Sequence, residues 1–176
     1  MNDIRIRLAT AADIAAVEAV YEHIHDSEEA GQNTIGWSRG VYPTRATAET
    51  ALNAGDLFVL TVDGIVAAAA RINREQVDVY ADCPWSYAAE DDRVMVLHTL
   101  VVDPARGGLG LGKRFVAFYE DYAREHGCTV LRMDTNAKNL RARGMYAHLG
   151  YREAGIVPCV FNGIPNVMLV CLEKKL

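Results

Sequence analysis

A chain of 176 residues, 51% hydrophobic and 23% charged, suits one domain spanning residues 1–176 with a core of its own, and excludes a disordered or fibrous protein. A net charge of −5 denies it the basic face that nucleic-acid binding requires, while mildly suiting a cationic partner such as an amine. No apolar run reaches the ~18 residues that span a bilayer, MNDIRIRLAT lacks an apolar leader core, and Cys83, Cys128, Cys159 and Cys171 form no C-x-x-C pair, so free thiols in a reducing cytoplasm are expected, away from membranes.

Ile4 to Leu8 alternates apolar residues with arginines, which predicts a half-buried strand. Thr10 or Asp13 is placed to cap a helix with the stripe Ile14, Val17, Tyr21 and Ile24. Gly31 to Pro43 reads as a loop, after which Thr44 opens an Ala-rich helix ending at Gly55. DLFVLTVDGIVAAAARI predicts two strands about Asp63-Gly64, since both turn residues tolerate positive φ. Val77 to Asp91 is irregular and aromatic, and Val94 to Val102 is an apolar strand expected to be buried on both faces. A glycine-rich turn follows, then a helix with Leu111, Phe115, Phe118 and Tyr122 on one face and Gly127 as its stop. TVLRMD is a strand, NLRARGMYAHLG a helix, and the last residues form two strands about Asn162-Gly163. The order β-α-α-β-β-β-α-β-α-β-β predicts a mixed α/β (α+β) domain. Its mostly antiparallel central sheet has a central right-handed β-α-β crossover and flanking helices, and is not a doubly wound nucleotide fold.

VVDPARGGLGLGKRF carries Gly107, Gly108, Gly110 and Gly112 between a strand and a helix. Such a junction presents unpaired N–H groups and the positive end of the helix dipole, a general anion site. Three phosphate signatures compete for it. Gly107 to Lys113 matches G-x-x-x-x-G-K, but Arg114 stands where a P-loop needs a hydroxyl to hold magnesium. Gly108, Gly110 and Gly112 approach a dinucleotide fingerprint, with Asp134 near the place of a ribose-binding acid, but the third glycine is out of register. Gly110-Leu111-Gly112 also fits an acyl-CoA loop.

LHTLVVDPARGGLGLGKRFV, followed by NLRARGMYAHLGY, resembles the GNAT superfamily of N-acetyltransferases. Leu100, Val102, Pro104, Gly110, Gly112, Asn139, Ala142, Tyr146, Gly150 and Tyr151 fall in register with the family pattern. One departure is that Gly107 fills the slot where relatives carry Gln or Arg, with Arg106 one place early. The resemblance implies acetyl-CoA as cosubstrate, lying between the strands Val94–Val102 and Thr129–Asp134 where they splay apart. Main-chain groups of Leu100 and Val102 would pair with the pantetheine arm, and an N–H near Val101 would stabilise the oxyanion. The pyrophosphate would sit on the amides of Gly107, Gly108, Leu109, Gly110, Leu111, Gly112 and Lys113, with Arg106, Lys113 or Arg114 supplying charge.

Asn139 and Tyr146 are seven residues apart, so they are expected on nearly one helix face, roughly 10 Å apart along the axis. The resemblance sets Asn139 against the pantetheine amides and Tyr146 near the sulfur as general acid. Relatives often carry a carboxylate base on the Val94–Val102 strand; here His98 is the titratable group, among apolar neighbours, with Glu75, Asp78 and Tyr80 as weaker candidates. Trp37, Arg39 and Tyr42 occupy the stretch where relatives bind the acceptor, and arginine with aromatics suits a carboxylate-bearing amine. His23 and His25 lie on different helix faces, so no metal is expected. The implied activity is acetyl transfer from acetyl-CoA to a primary amine, a small molecule, by direct attack in a ternary complex. A protein lysine or N-terminus as acceptor and a non-catalytic CoA-binding sensor stand as alternatives, and a homodimer is a common arrangement among relatives.

Overall fold

The computed structural model describes residues 2–176. Its helices and strands follow the predicted order: β1 (Ile4–Leu8), α1 (Ile14–Glu29), α2 (Arg45–Ala54), β2 (Leu57–Val62), β3 (Ile65–Asn73), β4 (Val94–Val102), α3 (Leu111–Glu125), β5 (Val130–Asn136), α4 (Leu140–His148), β6 (Arg152–Phe161) and β7 (Ile164–Lys175). The seven strands form one sheet in the order β1-β2-β3-β4-β5-β7-β6. Among the described residues only β4 and β5 pair in parallel, because α3 carries the chain back across the sheet between them. The hairpin turns at Asp63-Gly64 and Asn162-Gly163 have φ of 51° and 80°, and of 51° and 77°, as a two-residue turn between twisted strands demands.

Helices α1 and α2 cover one face of the β2–β4 region, and α3 and α4 cover the other. The run Val66–Ala70 in β3 is buried throughout, so small side chains let α1 and α3 approach the same strand from opposite sides. The buried face of α3 is Leu111, Phe115, Val116, Tyr119 and Ala123, rotated from the predicted stripe. Phe118 and Tyr122 lie at its flank, half-buried against Phe58 with ring centroids 5.5 and 5.1 Å away. Tyr119 takes the centre because its hydroxyl finds buried acceptors, the carbonyls of Met95 at 2.6 Å and Arg132 at 3.1 Å.

β4 changes character halfway along. Val94 to Leu97 are buried, whereas His98, Thr99 and Leu100 are only half-buried, unlike the sequence expectation. Between the pairs Arg71↔His98 and Ala69↔Val101, β4 carries one residue more than β3. Thr99 sits in this bulge at φ +51°, a conformation a β-branched residue rarely adopts. Pairing between β4 and β5 ends at Leu97↔Met133, and the two strands part beyond it.

The irregular segment 77–91 packs over the β5–β7 side of the sheet. It is pinned by Glu173 of β7, whose fully buried carboxylate accepts the N–H of Ser86 at 2.9 Å, that of Tyr87 at 3.1 Å and Arg152 Nη1 at 2.6 Å. A buried charge with three such donors holds a loop that has little ladder of its own.

Candidate active site

The parting of β4 and β5 opens a cavity of about 1020 Å³ that runs from the glycine loop to the loop 31–43. At the glycine end the walls are largely backbone. Gly110 caps α3 in the left-handed conformation, at φ 68°, and Gly108 has φ 82°, which explains the demand for glycine at both places. Among the described residues, no main-chain acceptor takes the N–H groups of Gly108 to Lys113. Gly107 differs from the expectation, since its N–H goes to the carbonyl of Pro104 at 3.2 Å. Leu109 is exposed and lies off the cavity lining, while Arg106, Lys113 and Arg141 line it and give this end its positive charge. Arg114 does not line the cavity, and Arg141 carried no signal in the sequence beyond its charge.

The open edge of β4 supplies the middle of the cavity. Asp103 donates its N–H to Ala67 of β3 at 2.9 Å. Alternation along the strand turns the N–H of Val101 toward β3 as well, and leaves the main-chain groups of Leu100 and Val102 facing the gap. The Val101 N–H is therefore engaged within the sheet, a correction to its expected place at an oxyanion. Asn139 is the cap of α4, with φ −81° and ψ 69°, so it does not share a helix face with Tyr146. Its Oδ1 accepts the N–H of Ala142 at 3.1 Å, which leaves its amide N–H groups to donate elsewhere. A side chain at Gly112 would meet Met145 Sδ at 3.2 Å, so the glycine lets α3 and α4 close together beside the cavity.

Tyr146 lines the cavity, and no group among the described residues hydrogen-bonds its hydroxyl. Burial, then the nearby Asp134, holds its phenol well above the usual range, so it remains protonated. His98 also lines the cavity, but its neighbours are polar. The Asn73 amide is oriented by its donation to Asp56 at 2.8 Å, so Asn73 Oδ1 accepts from His98 Nε2 at 2.8 Å. Burial and then the Arg71 charge push the His98 imidazole down to about 4.

The far end of the cavity is built by side chains from distant parts of the chain. Trp37 and Tyr42 meet edge to face at 5.8 Å and line the cavity, and the Tyr42 hydroxyl bonds Thr99 Oγ1. The loop bearing them is anchored by Glu28, whose carboxylate accepts from Ile35 at 2.6 Å and Gly36 at 2.7 Å. Arg39 does not reach the cavity: Glu22, Asp26 and Glu29 of α1 draw it outward into an exposed cluster. Phe161 and Ile164, at the tip of the β6–β7 hairpin, close the far wall. Asp134 also lines this end, a placement the sequence had suggested only as a ribose-binding acid; Tyr80 donates to its Oδ2 at 2.7 Å, and burial raises the carboxyl to about 6. Glu75 reaches the same end, whereas Asp78 lies off its lining.

The family model described as "Acetyltransferase (GNAT) family" matches residues 17–151. Among solved structures, a GNAT-family acetyltransferase from Streptococcus agalactiae superposes with a TM-score of 0.81 at 23% identity, over 98% of this chain and 95% of that one. The Salmonella typhimurium protein yncA, solved with its cofactor acetyl-CoA, superposes with a TM-score of 0.65 at 20% identity, over 98% and 93%. The blasticidin-S acetyltransferase of Streptomyces morookaense is 39% identical over 72 residues, which are 40% of this chain and 52% of that protein. Matches to curated relatives span between 35% and 52% of those proteins' own lengths. Among the described residues, no helix is long and apolar enough to cross a membrane.

Proposed function

The chain belongs to the acetyltransferase (GNAT) family, and on that premise we propose that it moves an acetyl group from acetyl-CoA to a primary amine of a small molecule. The observation that carries the reading is the cavity between β4 and β5, with free amides and cations at one end and the free hydroxyl of Tyr146 in its wall. The residues fit acetyl-CoA. The N–H groups of Gly108 to Lys113, with Arg106, Lys113 and Arg141 beside them, would hold the pyrophosphate. Main-chain groups of Leu100 and Val102 would pair with the pantetheine amides as a further strand would, and the Asn139 amide would donate to them.

In direct transfer the amine lone pair attacks the thioester carbonyl, the C–S bond breaks, and the sulfur takes a proton. Tyr146 is the donor within the cavity. Its raised pKa makes full ionisation unfavourable against a thiol of about 8.5, so its contribution is a hydrogen bond to the departing sulfur, completed as the proton moves. The free N–H of Leu100 or Val102 would supply oxyanion stabilisation in place of Val101. Trp37 and Tyr42 would hold the body of the acceptor, between walls supplied by the loop 31–43 and the β6–β7 tip that suit a small molecule. The reading is tested by thiol release from acetyl-CoA against a panel of amines, amino acids, polyamines and peptides. Tyr146→Phe is expected to lower kcat about tenfold, the loss of one hydrogen bond of ~1.4 kcal/mol, while acetyl-CoA affinity stays within twofold. Absence of acetyl-CoA binding would overturn the assignment, and tight binding without turnover of any acceptor would favour a CoA sensor.

A further inference from the structure

The acceptor end of the cavity contains a carboxylate of which one oxygen anchors the buried Tyr80 and the other has no partner among the described residues. Asp134 stands at the point where β5 leaves β4 and pairs with β7 alone. Its Oδ2 accepts from the Tyr80 hydroxyl at 2.7 Å, whereas its Oδ1 accepts no hydrogen bond among the described residues. The groups that face it are Tyr80 from the segment 77–91, Tyr42 from the loop 31–43, Tyr146 from α4, Cys159 from β6 and Cys171 from β7. None of these carries a positive charge. A partly desolvated carboxylate with a free oxygen and no cation is costly to the fold, unless a ligand brings the cation.

The remaining charges at this end point the same way. Arg71 is the one arginine lining it, and that side chain is already engaged, with Nε 2.8 Å from Asp56 Oδ1 and Nη2 3.3 Å from Glu75 Oε2. His98 is neutral at physiological pH. Arg39, which would have offered a carboxylate partner, is held outside by Glu22, Asp26 and Glu29. Positive side chains of the cavity are gathered instead at the glycine end. The cavity is polarised along its length, cationic where phosphate would sit and acidic and aromatic where the amine would enter.

From this arrangement we infer that Asp134 is the group that binds the acceptor's ammonium and takes its proton, and that the acceptor is a cationic amine with an apolar or aromatic body and no carboxylate beside the nitrogen. The inference rests on the acetyl-transfer reading above. An ammonium of pKa near 10 must lose a proton before it can attack. Asp134 Oδ1 accepts that proton, and the freed lone pair forms the N–C bond to the thioester carbonyl. As the C–S bond breaks, Tyr146 gives its proton to the sulfur and is reprotonated by the second nitrogen proton, and Asp134 then yields the first to solvent, so amide, thiol and one net proton leave. Desolvation places the carboxyl closer to neutrality than His98, and a base nearer the working pH is the better proton acceptor. Tyr80 keeps the carboxylate oriented and is a positioning residue.

The test measures thiol release from acetyl-CoA with 2-phenylethylamine, spermidine and phenylalanine from pH 5 to 9, for the wild type, Asp134→Asn and Asp134→Glu, with CoA affinity followed by calorimetry. Phenylalanine differs from 2-phenylethylamine only by its carboxylate. The wild type is expected to use 2-phenylethylamine at least tenfold better than phenylalanine in kcat/KM. Its kcat/KM should show an acid limb with a midpoint near 6, the value to which burial raises the carboxyl in the free protein. Asp134→Asn, which keeps the bond from Tyr80, should lose about a hundredfold or more in kcat and lose that limb, within the usual range for a general base. Asp134→Glu should recover part of the rate, and CoA affinity should stay within twofold in both variants. Retained kcat and pH profile in Asp134→Asn would overturn the role of Asp134 while leaving acetyl transfer standing. Preference for phenylalanine, or no turnover of either cationic amine, would overturn the acceptor class, and loss of CoA binding in the wild type would instead sink the underlying reading.

Discussion

The two ends of the cavity are built from different material. The glycine end offers main-chain N–H groups held by three consecutive residues' worth of helix start and by glycines at positive φ. The acceptor end offers side chains from α1's following loop, β3, the segment 77–91, β5 and the β6–β7 tip. A site made of backbone constrains which residues allow a conformation; a site made of side chains constrains only where distant residues meet. The first tolerates wide change in side-chain identity and little in φ and ψ, while the second behaves in the opposite way.

Substitutions that separate backbone from side chain give the sharpest break. Gly110→Val forces a β-branched residue to φ 68° and should raise the KM for acetyl-CoA by at least tenfold, or lower the folded yield, with the acceptor KM unchanged. Arg106→Ala and Lys113→Ala, the first half-buried and the second exposed, should each raise it only about threefold, since single charges in contact with solvent contribute ~1 kcal/mol or less. A larger effect from either cation than from Gly110 would show that charge, and not the amides, holds the ligand. Next in size, Trp37→Ala should raise the acceptor KM about fivefold to tenfold, the loss expected for one aromatic wall, while leaving acetyl-CoA kinetics alone. Equal shifts in both constants would mean that the two ends are mechanically coupled.

The smallest effect contrasts two aspartates. Arg7 donates to Asp13 at 2.7 and 2.9 Å and holds its carboxyl down to about 2, whereas burial lifts Asp134 to about 6, against an ordinary 3.8. Asp13 binds its proton less tightly in the folded chain, so the stability it gives is present above pH 3.8 and is lost as pH falls through 2. Asp134 binds its proton more tightly when folded, so its contribution is present below 3.8 and is lost as pH rises through 6. Thermal melts should therefore show Arg7→Ala a few degrees below the wild type at pH 7, converging toward it near pH 2. Asp134→Asn should match or exceed the wild type at pH 7, where the charged carboxylate is a cost to folding. A lower Tm there would mean that Asp134 is stabilising, contrary to its lack of a cationic partner.

The same contrast explains how much was readable beforehand. Element order, both hairpin turns, the cap at Thr44 and the stop at Gly55 follow from local chemistry, and the structure reproduces them. The glycine loop was legible because positive φ and an uncapped helix start leave a trace in residue type. Arg71 and Phe161 leave none, and Asp134 and Tyr80 drew notice only as a ribose-binding acid and a weaker base candidate: the four converge from separate elements with no fixed spacing. Arg39 misled because an arginine beside aromatics says nothing of direction. Its signal lay one helix earlier, where Glu22, Asp26 and Glu29, spaced four and three, form an acidic stripe on α1. Asn139 illustrates a subtler limit, since seven residues of spacing imply a shared face only if both residues are inside the helix, and this one is its cap.

The parted strands have one more consequence. Where β4 and β5 separate after Leu97 and Met133, the sheet is left with a seam of main-chain groups that no neighbouring strand engages. A ligand that zips this seam binds the native chain and not the denatured one, so it draws the folding equilibrium toward the native side, by ~2.7 kcal/mol at a hundred times its Kd. Resistance to protease digestion would then track how full the seam is, and the chain's lifetime in a cell would rise and fall with the supply of that ligand.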